Sequence, residues 1–194
     1  MRIVGGIWRG RRLVAPTGRA HRPTQARVRE ALFSLLGTPL RAAWVLDLFA
    51  GSGSLGLEAL SRGAARALFV ERSSRALTAL RENVQRCGAE GHTSIVRAEV
   101  ERFLSGARGP YGAIALAMAD PPYELDASGL LEMMVRAPAL EWSHDARIVI
   151  EHGADAPAPR VPAGWRSATA RRYGDTCLSI AARESDRSHD EGGQ

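Results

Sequence analysis

Two short runs in this chain bring together residue types that can do chemistry. The first is Asp47-Leu48-Phe49-Ala50-Gly51-Ser52-Gly53. Glycines there let the backbone come close to a ligand and take dihedrals closed to residues with a Cβ. Gly51 to Gly56 also reads G-x-G-x-x-G, and Glu71 stands 20 residues beyond Gly51, the spacing of a carboxylate that binds ribose hydroxyls. On that spacing alone a dinucleotide site and an S-adenosylmethionine site are both open, beside the plain alternative of a glycine turn without a ligand. Asp47 favours the second. A carboxylate ahead of the glycines would oppose a pyrophosphate, whereas the methionine end of adenosylmethionine carries an ammonium group.

The second run is Asp120-Pro121-Pro122-Tyr123. An exocyclic amine on a nucleobase is a weak nucleophile because its lone pair is delocalised into the ring. Two acceptors set against its N–H bonds, the Asp120 carboxylate and the Pro121 carbonyl, would favour a pyramidal nitrogen with a localised pair. Consecutive prolines fix the backbone and bring no N–H to compete. Tyr123 offers a face for a flipped-out base, a stacking contact worth about 1–3 kcal/mol. Attack on a sulfonium methyl then requires positioning and charge placement, with no metal. The structural alternative is a Pro-Pro turn capped by an aspartate. Asp120, Pro121, Pro122 and Tyr123 are the candidate catalytic residues.

These residues need a frame, and the chain alternates strand and helix to supply one. Thr24 reads as the N-cap of a helix running to Leu36, with Val28, Leu32, Leu35 and Leu36 on one face. Strand patterns cover 44–49, 68–71, 93–96, 113–119 and 147–151, with helices over about 54–61, 75–86, 100–104 and 128–135 between them. Two further strand-like stretches, 166–172 and 176–181, flank the turn Tyr173-Gly174-Asp175. The alternation predicts an α/β fold with a doubly wound, mainly parallel sheet. Ligands in such sheets bind outside the carboxyl ends of the strands. Asp47, Glu71, Glu99 and Asp120 fall at four successive predicted strand ends and so outline one crevice, although each alone could be a helix cap. Arg72, after Glu71, and Val100, after Glu99, join the candidate cofactor residues there.

At 194 residues and 45% apolar content, the chain is most simply one domain. It has no run of about 18 uncharged apolar residues, which excludes a membrane-spanning helix. The N-terminal residues lack the apolar core of a secretory signal. Cys87 and Cys177 lack metal-type spacing and read as free thiols, consistent with a cytoplasmic protein.

The net charge of +5 hides an uneven distribution. Residues 1–29 hold eight arginines and no acid, so the other 165 residues carry a net −3. Guanidinium groups bind phosphate oxygens bidentately, so Arg2, Arg9, Arg11, Arg12, Arg22, Arg27 and Arg29 are candidate nucleic-acid contacts. Ile3, Val4, Ile7, Trp8, Leu13 and Val14 interleave with them, which predicts a β-hairpin over residues 1–22 rather than a solvated arm. A domain over 23–183 and a polar, disordered tail over 184–194 complete the organisation. His21, His152, Trp8 and Asp175 have ordinary readings as a loop histidine, a packing residue, a hairpin anchor and a turn organiser.

Taken together, these motifs resemble the RsmD family of bacterial 16S rRNA guanine-N2 methyltransferases. The likeness runs from Met1 to about Ala182. It rests on Arg2-Ile3-Val4-Gly5-Gly6, Arg22-Pro23-Thr24, Arg27-Val28-Arg29-Glu30-Ala31-Leu32-Phe33, the glycine loop, Leu57-Glu58-Ala59-Leu60-Ser61-Arg62-Gly63-Ala64, Asp120-Pro121-Pro122-Tyr123 and Tyr173-Gly174-Asp175-Thr176. Many amino-methyltransferases share the glycine loop and the Asp-Pro-Pro-Tyr run; the N-terminal block and Tyr-Gly-Asp-Thr are more particular. The resemblance implies a Rossmann-like class I methyltransferase with a mainly parallel seven-stranded sheet. It implies methylation of the N2 amine of guanine 966 in 16S rRNA, within an assembled or assembling small subunit, by a monomer that needs no metal and no membrane. It also implies that Asp47, Gly51 and Gly53 face the methionine moiety, Glu71 the ribose and Asp120 to Tyr123 the base, with Thr24 in an element folding over the cofactor.

Two departures stand out. Ala98-Glu99 replaces the family's usual aspartate after the third strand, and the segment 111–119 is longer than usual. A DNA adenine-N6 or cytosine-N4 methyltransferase is the competing class, since Asp-Pro-Pro-Tyr serves all three amines. The chain has little room for a separate target-recognition domain. A non-catalytic nucleotide-binding module is the second alternative and would not need Asp-Pro-Pro-Tyr after the fourth strand.

Overall fold

A computed structural model describes residues 1–15, 23–37, 40, 42–106, 109, 111–122, 124–138 and 140–184. Tyr123, Arg22, His21 and the tail 185–194 lie outside the described residues. The side chains of Pro23, Thr24 and Gln25 are likewise not described.

Elements follow the strand–helix alternation. They are α1 (Pro23–Leu36), β1 (Trp44–Leu48), α2 (Ser54–Ser61), β2 (Arg66–Glu71), α3 (Ser74–Cys87), β3 (Thr93–Arg97), α4 (Val100–Gly106), β4 (Ile114–Ala119), α5 (Ala127–Arg136), β5 (Trp142–Gly153), β6 (Trp165–Tyr173) and β7 (Thr176–Arg183). The seven strands form one sheet in the order β3-β2-β1-β4-β5-β7-β6. β3, β2, β1, β4 and β5 pair in parallel, and β7 pairs antiparallel with both β5 and β6. The order reverses between β1 and β4, which creates a crevice at their carboxyl ends.

Both sheet faces are covered, which is why the central strands are apolar at nearly every position. On one face Val45, Phe69, Met118 and Val149 pack under Leu32 of α1, Leu57 of α2 and Leu77 and Leu80 of α3. On the other, Leu46, Leu68, Ala117 and Ile148 pack under Phe103 and Leu104 of α4 and Leu130 and Met134 of α5. Adjacent residues such as Val45 and Leu46 thus belong to opposite cores, as the two-residue period of a strand requires.

Three features differ from the sequence expectation. The first helix begins at Pro23, so Thr24 lies in its first turn and is not its N-cap. Proline suits a helix start because it has no amide hydrogen to leave unpaired. β5 is longer than 147–151, because it pairs with β4 on one side and along Arg147–Gly153 with β7 on the other. A 3₁₀ turn over Glu90–His92 had no apolar period to announce it.

The strand that leads to Asp120 carries an irregularity near its start. Pairing of β4 with both neighbours shifts register between Ile114 and Leu116. From Leu116 onward the ladder is regular. Ala119 is level with Leu48 of β1 and with Ile150 of β5. The next residues on these three strands are Phe49, Asp120 and Glu151.

Candidate functional site

The glycine loop after β1 is held from beneath by Asp47. This residue is 1% exposed, and its Oδ2 accepts a hydrogen bond from the Gly56 amide at 2.8 Å. Burial pushes its carboxyl well above the usual carboxylate range; the Gly56 bond opposes that, and the charges of Asp120 and Glu71 add to it. Phe49 and Gly53 both have positive φ, 57° and 77°. A Cβ on Gly53 would collide with Leu80, and one on Gly56 would collide with Phe69. The second and third glycines of the motif therefore let α2 lie directly on β2 and α3. The loop also bonds across to β2 through the Ala50 amide and the Val70 carbonyl, 3.1 Å.

Glu71 ends β2 and closes the loop from the other side. Its Oε2 accepts from the Gly51 amide at 2.8 Å and its Oε1 from the Ser73 amide at 2.7 Å. A carboxylate has about four lone-pair sites, so two remain for a ligand's hydroxyls after these bonds. Glu71 lines a cleft of about 290 Å³ together with Phe49, Gly51, Arg72, Glu99, Val100 and Asp120. That volume is near the lower end of the roughly 300–1,000 Å³ of small-molecule sites and suits a nucleoside. Arg72 and Glu99 stand across its mouth, exposed, and pair at 3.2 Å. Such a pair contributes at most about 1 kcal/mol and can open for a ligand.

A second lobe of about 90 Å³ continues the first. The two share Phe49, Gly51 and Asp120. The second lobe adds Ala50, Ser52, Met1, Arg29 and Leu32 on one side and Val149, Glu151 and Leu178 on the other. Pro121 is buried and Pro122, exposed, lines the first lobe; the Pro122 carbonyl accepts from the Leu125 amide at 3.0 Å, so the turn after Asp120 is fixed. Glu151 is the residue that sequence reasoning passed over. Burial and the neighbouring Asp120 push its carboxyl up to about 7, against a 3.5 Å hydrogen bond donated by the Thr176 hydroxyl. The signal was present: an apolar run, Ile148-Val149-Ile150, ending in an acid like the four strands before it.

The basic N-terminal block divides into exposed and structural members. Residues 1–3 and 10–13 pair antiparallel, with Ile3 and Leu13 buried in the main core. Arg2, Arg9, Arg12 and Arg27 are exposed. Arg29 is not on the exposed surface with the others, contrary to expectation. It is 3% exposed, 3.5 Å from the carboxylate of Glu58, itself fully buried, and donates to the Arg2 carbonyl. Burial lowers its pKa while Glu58 opposes that. Arg11 is exposed but donates to the Arg86 carbonyl at 2.7 Å, capping the end of α3. Trp8 is half-buried against the core and its amide bonds to Ser61. Asn83 of α3 joins this segment to the glycine loop, donating to the Val14 and Ser52 carbonyls at 2.9 and 3.0 Å and accepting from the Val14 amide. His152 bonds to Ser179 and packs in the sheet.

Among the described residues no cluster of histidine, cysteine or acidic side chains has metal-binding geometry, and no helix is long and apolar enough to cross a membrane.

Comparison with known proteins places this site in context. Residues 1–182 match the family model described as conserved hypothetical protein 95. The chain is 37% identical over 188 residues to ribosomal RNA small subunit methyltransferase D of Escherichia coli, covering 95% of this chain and 90% of that one. It is 34% identical over 181 residues to the putative rRNA methyltransferase YlbH of Bacillus subtilis, covering 93% and 97%. Among solved structures, a putative methyltransferase from Escherichia coli superposes with a TM-score of 0.81 at 30% identity, covering 96% and 99%. A putative methylase from Haemophilus influenzae superposes with a TM-score of 0.76 at 26% identity, covering 94% and 97%.

Proposed function

This chain belongs to the conserved hypothetical protein 95 family, the RsmD family of small-subunit rRNA methyltransferases, and from that membership we propose that it methylates the N2 amine of a guanine in 16S rRNA. It is a methyltransferase that uses S-adenosylmethionine and acts on rRNA. The substrate is the assembled or assembling small subunit, and the enzyme works as a cytoplasmic monomer.

Bound in the cleft, the cofactor supplies an electrophilic methyl on a sulfonium. The chain's own residues do the rest. Glu71 offers its remaining lone pairs to ribose hydroxyls, and Arg72, Glu99 and Val100 border the adenine. Phe49, Ala50, Gly51, Ser52 and Gly53 form the wall toward the methionine end, with Asp47 holding that wall in place from below. Asp120 takes one N–H of the target amine and the Pro121 carbonyl the other, while Tyr123 stacks on the base. Arg2, Arg9, Arg12 and Arg27 hold phosphates of the surrounding RNA.

The observation that supports this reading best is that both lobes share Phe49, Gly51 and Asp120. A nucleoside-sized lobe lined by a ribose-type carboxylate thus opens onto the residue that would hold the amine. The test uses small ribosomal subunits from cells lacking the modification, incubated with methyl-labelled cofactor. The label should map to the N2 position of a single guanine. Label on adenine N6, on cytosine N4 or in DNA would overturn the reading.

A further inference from the structure

We propose that Glu151 is a further catalytic residue: it receives the proton that the target amine sheds as it is methylated. This rests on the reading that the substrate is an exocyclic base amine. The nitrogen lone pair forms the new N–C bond, the C–S bond breaks with its pair left on sulfur, and the nitrogen becomes positively charged. One of its protons must then leave, and the Glu151 carboxylate takes it, returning the product to a neutral amine.

Geometry puts Glu151 in the right place. Ala119 and Ile150 are paired in register across β4 and β5, so Asp120 and Glu151 are the next residues on neighbouring parallel strands. Such strands run about 4.8 Å apart, and in-register side chains point to the same side. Both residues line the same lobe. Glu151 is tethered at Oε1 by the Thr176 hydroxyl, from the Tyr173-Gly174-Asp175-Thr176 turn into β7. That contact gives the turn a reason to end in threonine.

The charges around it favour this assignment. Asp120 lies beside it at the end of β4 and acts on its charge, and Asp47 of β1, Arg29 of α1 and Met1 line the same lobe. Arg29 is paired with Glu58 at 3.5 Å. A carboxyl titrating at about 7 is matched to accept a proton at neutral pH. A proton on Glu151 relieves its repulsion with Asp120, whereas a proton on Asp120 would remove the acceptor that holds the amine.

The experiment measures single-turnover methylation of unmodified small subunits from pH 5.5 to 9 for the wild type, Glu151→Gln and Thr176→Val, with calorimetric affinity for S-adenosylmethionine alongside. The wild-type rate should rise with pH around 7. Glu151→Gln should be slower by about a hundredfold and lose that rise, with cofactor affinity unchanged. Thr176→Val removes a bond to the ionised carboxylate and should move the rise to higher pH. A Glu151→Gln enzyme with the wild-type rate and pH profile overturns the proposal. Should that variant fail to fold, an unshifted profile in Thr176→Val overturns it instead. Failure of the substrate reading is separable: it shows as label on another base in the wild type, while the Glu151 effect would persist for any exocyclic amine.

Discussion

The two lobes of the cleft treat their carboxylates in opposite ways. On the β2–β3 side, Glu71 has each oxygen fixed by a backbone amide, from Gly51 and Ser73. On the β4–β5 side, Asp120 and Glu151 sit side by side, and their mutual repulsion adds to burial in raising Glu151 to about 7. One lobe is a recognition surface whose carboxylate is held in position by backbone amides. The other is a pair of like charges in which ionisation is poised and can respond to a substrate. Binding wants the first arrangement and proton movement wants the second, which is how one crevice serves both.

The comparison breaks most visibly at Asp120. Asp120→Ala should lower the methylation rate by roughly a thousandfold, since it removes an acceptor aimed at the reacting amine. Calorimetry should show cofactor affinity little changed, because Glu71 and its amides are intact. Equal losses in rate and in cofactor affinity would mean that the lobes are not separate in function. Glu71→Ala should do the reverse. Cofactor binding should weaken by about 1.5–3 kcal/mol, the worth of a charge-assisted hydrogen bond. Unchanged affinity by calorimetry would remove the ribose site from this lobe.

A stability measurement sharpens the contrast. Glu151 has its folded pKa raised from 4.5 to about 7, so the folded state holds the proton more tightly than the unfolded state between those values. Stability supplied by this group therefore falls as pH rises through that window. Glu151→Gln, which resembles the protonated form, should match the wild type below about pH 4.5. It should melt a few degrees higher at pH 8. A Tm difference independent of pH would mean that folding does not raise the pKa of this carboxyl, by burial or by Asp120.

The smallest effect lies outside both lobes. Replacing Arg9 and Arg12 together should reduce the slope of log affinity for the small subunit against log salt by roughly one unit for each phosphate no longer held. Cofactor affinity should stay at the wild-type value. Wild-type particle affinity at every salt concentration would return these arginines to the role of solvated charge. Arg29 and Arg11 are unsuitable for this test, because their removal would act through Glu58 and the end of α3.

Much of this was legible in the sequence because the strands are buried on both faces and read as apolar runs ending in acids. The Trp44–Leu48 strand, the Ser54–Ser61 helix and the turn at Gly174 are local patterns of that kind. What escaped depends on partners distant in sequence. Nothing near Arg29 shows that Glu58 will bury it, and an arginine in a basic block looks like its exposed neighbours. Glu151 was overlooked because its significance comes from Asp120, 31 residues away and brought level by β4–β5 pairing. The register shift at Ile114–Leu116 likewise takes two neighbouring strands to define.

The Asn83 side chain also sets an order of events during synthesis. Its partners Val14 and Ser52 are 69 and 31 residues earlier in the chain. At a ribosomal rate of about 5–20 residues per second, the first segment waits several seconds after Val14 is made before Asn83 exists. Glu58, which anchors Val4 and Arg29, appears sooner but needs α2 packed on β2 to be presented. The amino-terminal segment, made first, therefore cannot complete its hydrogen bonds until α3 has been made. Until then Val14 lacks its Asn83 partner and the glycine loop lacks one of its tethers. Completion of α3 supplies both from a single side chain.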